Sequence, residues 1–167
     1  NDRINELKSL LQADGRILVV DGAMGTAIQG KNLGPSDFGG PEYEGCNEYL
    51  IITRPDVISD IHQSYLDSGA DIIETNTFGA TSVVLAEYDL SHESSRINRE
   101  AALLARKLAN QSSEPGKPRF VAGSMGPTTK TISVTGGITF DELAKAYEEQ
   151  AIGLIEGGVD LLLLETS

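Results

Sequence analysis

The sequence has no tryptophan, one cysteine and two histidines, and its basic residues are outnumbered by acidic ones, 13 against 25. Each shortage excludes something. The lone cysteine, Cys46, cannot form an internal disulfide, and with His62 and His92 it does not make a conventional three- or four-ligand nitrogen/sulfur zinc site. A formal charge of −12 repels phosphate backbones and anionic headgroups, which argues against nucleic-acid and membrane-surface partners. No apolar run approaches the ~18–20 residues of a membrane span, and the opening NDRINELKSLLQ lacks the charged-then-apolar layout of a signal peptide. These features read as cytoplasmic. What is plentiful is aliphatic: 40% of residues are hydrophobic and only 5% aromatic, a composition suited to a β/α core of Val, Ile, Leu and Ala and not to disorder. At 167 residues, length alone suggests one core.

Four runs carry strand character: RILVVDG (16–22), ADIIETNTF (70–78), RFVAGSMGP (119–127) and VDLLLLET (159–166). Each is continuously apolar without alternation, as in parallel strands covered on both faces. Between them lie amphipathic helices. In TRPDVISDIHQSYLDSG, Thr53 is placed to cap, Pro55 sits in the first turn, and Val57, Ile58, Ile61, Tyr65 and Leu66 form a stripe that ends at Gly69. SSRINREAALLARKLANQ repeats the pattern with Ile97, Ala101, Leu104 and Leu108. In TFDELAKAYEEQAIGLIEGG, Thr139 and Glu142 form a capping box and Gly157 is a natural residue to end the helix. A leading helix over 1–14 places Ile4, Leu7, Leu10 and Leu11 on one face. The order β-α-β-α-β-α-β implies right-handed crossovers and a parallel sheet.

Two α/β architectures fit, a small doubly wound sheet or the first four β/α units of a TIM (β/α)8 barrel. No G-x-G-x-x-G follows a strand, which weakens the nucleotide-binding form of the first. Spacings between strand ends exceed the ~31 residues per unit of a ~250-residue barrel, so insertions follow the strands, where a barrel puts its active site. The largest, QGKNLGPSDFGGPEYEGCNEYL (29–50), reads either as an ordered lid or as a plain surface loop.

Polar residues gather at the carboxyl ends of all four runs: Asp21, then Glu74, Thr75, Asn76 and Thr77, then Ser124, then Glu165 and Thr166. The second and fourth runs repeat one design, with SGADIIETNTF echoed by GGVDLLLLETS. Carboxylates converging on one mouth repel each other unless a cation sits among them, either a substrate ammonium or a metal. In DGAMGTAIQ, residues Gly22, Ala23, Met24 and Gly25 are small or flexible enough for backbone N–H groups to converge on an anion, although a tight turn explains them equally well. An acid beside an anion nest suits an α-amino acid. His62, His92 and Cys46 read as structurally ordinary, and Met24 and Met125 as core fillers that can also line the mouth.

The stretches ILVVDGAMGTAIQ, NEYLIITRPDVISDIHQSYLDSGADIIETNTFGAT, RFVAGSMGPTTKTISV and GGVDLLLLET, in that order, resemble the homocysteine-binding domain of the cobalamin-dependent methionine synthases. The resemblance runs from about residue 15 to the end, and several ordered motifs make it more specific than any one. It implies a barrel in which residues 15–167 form the first half. It also implies that Asp21 and Glu165 hold the substrate ammonium, that amides of Gly22, Ala23 and Met24 hold its carboxylate, and that Glu74, Thr75 and Asn76 line the pocket. In that family a zinc ion on three cysteines activates homocysteine, methylcobalamin supplies the methyl group, and methyltetrahydrofolate recharges it, with folate and cobalamin bound by other domains of the same polypeptide. Cys46 matches none of those cysteines. The expectation is therefore a fragment, inactive alone, that self-associates through its open edges. The betaine- or S-methylmethionine-dependent homocysteine methyltransferases are the alternative within chemistry, and a non-catalytic amino-acid-binding half barrel the alternative outside it.

Overall fold

Apolar runs interleaved with amphipathic helices favour parallel pairing, because each crossover returns the chain to the same end of the sheet. The computed structural model describes residues 2–12, 16–132 and 137–166. Among them β1 (Ile72–Glu74), β2 (Phe120–Met125) and β3 (Leu161–Leu164) form a parallel sheet in the order β1-β2-β3, with Glu74 opposite Ala122 and Ser124 opposite Leu163. The run at 16–22 lies beside β1 but makes only a bridge, Val20 to Ile72, with the Asp21 amide donating to the Ile72 carbonyl at 2.9 Å. The four-strand reading is thus corrected to three strands and an edge bridge. With a neighbour on one side only, the run gains little from burial, and Ile17 and Val19 stay 86% and 55% exposed.

Helix α1 (Asp2–Gln12) leads, and α2 (Met24–Gln29), α3 (Leu50–Thr53), α4 (Pro55–Asp67), α5 (Ser82–Leu85), α6 (Ser94–Gln111) and α7 (Phe140–Glu156) fill the crossovers. Side chains alternate across the sheet with period two. On one face Ile72, Phe120 and Ala122 pack with Leu7 of α1, with Leu10, Leu161 and Leu163 half-buried beside them. On the other, Ile73 and Val121 pack against Leu66 of α4 and Ala105 and Ala109 of α6. Continuing the first face toward the carboxyl ends by twos gives Glu74, Ser124 and Glu165. The leading helix therefore covers the apolar part of this face and leaves its polar end open. Leu11, expected on the buried stripe of α1, is instead 65% exposed.

The helix ends differ from the sequence reading in two places. Thr53 does not cap α4: it lies in α3 and its hydroxyl donates to the Tyr49 carbonyl, while Arg54 occupies the cap position and binds Asp56 and Asp37. Gly157 is right-handed at φ −75, and Gly158, at φ 91, makes the left-handed turn that ends α7. The capping box of Thr139 and Glu142 is present, and Gly69 closes α4 at φ 106. Burial on both faces holds for β2, which is buried throughout, but not for β3, where Leu162 and Leu164 are 36% and 67% exposed. No helix among the described residues is long and apolar enough to cross a membrane. Residues 133–136 lie outside the described residues.

Candidate functional site

The polar end of the sheet opens into a cavity of about 400 Å³. Every residue proposed from the sequence as substrate-binding lines it: Asp21, Gly22, Ala23 and Met24 from the first β-α turn, Glu74, Thr75 and Asn76 from the end of β1, and Glu165 from beyond β3. Ser124 of β2 contributes as well, and its hydroxyl donates to Glu165. Met125 points the other way and packs in the core with Ala102 and Leu154.

The cavity carries four carboxylates and no lysine or arginine among its described lining residues. Asp21 accepts the Glu74 amide through both carboxylate oxygens, each at 3.1 Å. Burial nevertheless pushes its carboxyl up to about 7, against the pull of that amide and with the charges of Glu74 and Glu165 adding to the rise. Burial, then the Glu165 charge, raises Glu74 too. The acids therefore repel one another in a partly desolvated space, which a bound cation relieves.

The turn after Asp21 starts α2, whose cap residue Ala23 offers no side-chain acceptor, so the first-turn N–H groups have no partner from the cap side chain. Met24 and Gly25 of this turn line the cavity. Gly22 is fixed by packing: a Cβ there would stand 2.9 Å from the Tyr65 ring, and the Tyr65 hydroxyl donates to the Ala23 carbonyl at 3.3 Å. Helix α4 thus props the turn from behind.

The long insertion is an ordered wall. Its Phe38 and Cys46 are buried, it carries short 3-10 turns at Pro41–Tyr43 and Asn47–Tyr49, and Asn47 and Glu48 reach the cavity. Glu48 accepts the Gly79 amide at 2.8 Å, and Asn76 Nδ2 donates to the Asn47 carbonyl at 2.7 Å. Burial raises the Glu48 carboxyl. Asn47 and Glu48 were missed from the sequence, as was Phe78 on the cavity wall, 42% exposed and stacked on Gly126, where a Cβ would lie 2.7 Å from the ring. A lid reading of 29–50 was the one available signal for the first two.

The residues here do not fit the zinc that the resemblance implies. Cys46 is 1% exposed, with burial and then the Glu48 charge pushing its thiol up to about 12, whereas a metal needs the thiolate. His62 is buried in α4, with its imidazole pushed down to about 4 by burial, and His92 stands at the surface. Among the described residues no three His, Cys, Asp or Glu side chains are grouped to hold a metal.

Three solved structures of the Escherichia coli homocysteine methyltransferase MmuM resemble this fold. The metallated form is 24% identical with a TM-score of 0.73, over 96% of this chain and 57% of that one. The oxidized form is 25% identical with a TM-score of 0.71, over 93% and 55%. For the apo form the values are 24%, 0.64, 93% and 51%. The chain therefore spans little more than half the length of these relatives. The family model for homocysteine S-methyltransferases matches residues 18–167, from the first apolar run through every wall of the cavity, and the chain belongs to that family.

Proposed function

We propose that this chain is the homocysteine-holding half of a (β/α)8 barrel, formed by residues 15–167 with α1 leading, in a homocysteine S-methyltransferase. The observation that carries the reading is charge: four carboxylates and no lysine or arginine line the cavity among its described residues, and the first turn of α2, which has no side-chain cap, borders the same cavity. An α-amino acid carries the complementary pair. Asp21 and Glu165 take the ammonium, the amides of Gly22, Ala23 and Met24 take the carboxylate, and Glu74, Thr75 and Asn76 shape the space for the thiol-bearing side chain. Homocysteine is the amino acid consistent with the family. A thiol is only a few per cent thiolate at neutral pH, and among the described residues no group is placed to hold an activating metal, so the chain alone is expected to bind without transferring a methyl group.

Methylcobalamin, recharged by methyltetrahydrofolate on further domains of the same cytoplasmic polypeptide, is the donor suggested by the sequence motifs. Likeness to MmuM supports an S-methylmethionine-dependent enzyme at least as well. The binding step is common to both. Calorimetric titration with L-homocysteine tests it: each charge-assisted contact contributes roughly 1.5–3 kcal/mol, so Asp21→Asn or Glu165→Gln is expected to weaken binding by about ten- to a hundredfold. N-Acetylhomocysteine, which lacks the ammonium, is expected not to bind. Affinity indifferent to both substitutions overturns the reading.

A further inference from the structure

The cavity wall between β1 and α5 ends in a tight turn, Thr77–Ala80, closed by the Ala80 amide on the Thr77 carbonyl at 3.0 Å. The first and last carbonyls of this turn are both held from behind. Gln150 Nε2 of α7 donates to the Thr77 carbonyl at 2.8 Å, while Asn98 Nδ2 and Ser94 Oγ of α6 donate to the Ala80 carbonyl at 2.8 and 2.9 Å. All three side chains are fully buried. Yet Gln150 Oε1 and Asn98 Oδ1 have no partner among the described residues. A buried carboxamide with its acceptor unmet is a poor choice for stability, because an apolar side chain of the same shape avoids that desolvation. The donor half is what these positions use.

Glycines set the reach of the two helices. A Cβ at Gly153 would stand 2.9 Å from the Ser95 carbonyl and 3.0 Å from Asn98 Cβ, so α7 lies directly on α6 less than one turn beyond Gln150. On the cavity side the same segment is tied in turn: the Thr77 hydroxyl donates to the Ser124 carbonyl at 2.7 Å and meets Thr75 Oγ1 at 2.6 Å. Force on Thr77 therefore reaches Thr75 and the strand end that carries Glu74.

We infer that Gln150 and Asn98 are positioning residues for this cavity, a two-helix clamp on the 77–80 turn that fixes how Glu74, Thr75 and Asn76 face the ligand. The inference rests on the cavity being a homocysteine site. Two substitutions of Gln150 test it. Gln150→Met keeps the volume and removes the donor, and Gln150→Glu donates only when protonated. Hydrogen exchange on the purified chain is expected to speed at least tenfold at the 77–80 amides of Gln150→Met, with α4 unchanged, and homocysteine affinity to fall about tenfold. For Gln150→Glu, affinity relative to wild type at the same pH is expected to recover as pH falls, because the protonated carboxyl again donates to Thr77. The corresponding ratio for Gln150→Met stays flat, a contrast that loss of packing does not produce. Should Gln150→Met lose its native circular dichroism, the ratio of Gln150→Glu to wild type at each pH carries the test. Unchanged exchange at 77–80, faster exchange with unchanged affinity, or a flat Gln150→Glu ratio overturns the assignment. Absence of homocysteine binding by the wild type overturns the site reading itself, and with it the ligand this clamp serves, before any substitution is made.

Discussion

At the scale of single residues, Asp21 faces two opposed demands. Its carboxylate form suits an ammonium, but burial beside Glu74 and Glu165 raises its carboxyl to about 7 from an ordinary value of 3.8. A carboxyl raised on folding contributes stability that is fully present below its unfolded value and is lost as pH rises through the folded one. Asp21→Asn is therefore expected to melt higher than wild type at pH 8, by on the order of 1–2 kcal/mol after discounting for partial exposure, with the gap narrowing below pH 7 and closing only as pH falls to the unfolded value of 3.8. Ligand binding has the opposite slope, since homocysteine affinity should rise as pH passes upward through 7 and Asp21 loses its proton. Melting curves and titrations at matched pH check both, and slopes of the same sign contradict the argument. Asp21, Glu74 and Glu165 were legible in the sequence because each follows a continuous apolar run laid along the parallel sheet, which brings the run ends to one side. Glu48, Asn47 and Gln150 were not. Their roles depend on where a loop and a helix land after packing, which neither run length nor periodicity records.

At the scale of elements, the contact between α6 and α7 shows what helical periodicity conveys and what it omits. The Thr139–Glu142 capping box of α7 was readable from the sequence, and Glu142 does accept the Thr139 amide, at 2.8 Å; the buried face of α7 was readable only in part, since Ile155 is 60% exposed. The reading of Gly157 as the helix-ending glycine was off by one, because a string of two glycines does not say which adopts positive φ. What Gly157 supplies instead is closeness: an added Cβ would stand 2.6 Å from the Arg99 carbonyl and against the Ala102 methyl. Its φ of −75 is open to any residue, so Gly157→Ala carries no backbone strain and raises helix propensity. Its expected net effect is still a loss of about 1–3 kcal/mol from overpacking, read in urea melts. Gly158→Ala separates the two causes, since its neighbourhood is open, with Arg106 Cγ the nearest atom at 3.8 Å, but its φ of 91 resists a side chain. A stabilised Gly157→Ala variant removes close packing as the reason for glycine there.

At the scale of the whole molecule, the sheet offers two unpaired edges. The first run bonds only to β1 and β3 only to β2 among the described residues, and both margins are apolar, with Ile17 86%, Leu164 67% and Ile155 60% exposed. Because the strands are parallel, the first margin of one copy presents the same direction that β3 of another requires, and two such contacts close a twofold pair. A charge of −12 on each copy opposes that pairing. Light scattering of the purified chain is expected to give about twice the 17.8 kDa chain mass at micromolar concentration, with the dimer strengthened by added salt as repulsion is screened. The paired substitution Ile17→Lys and Leu164→Lys discriminates between the forces involved. It makes each copy less negative, so electrostatics alone favours tighter association. If apolar edges drive the pairing, the same change returns the chain to a monomer. A wild-type chain that stays monomeric at every concentration and melts in one sharp transition rules out edge pairing, and means that the two margins are tolerated in water as they stand.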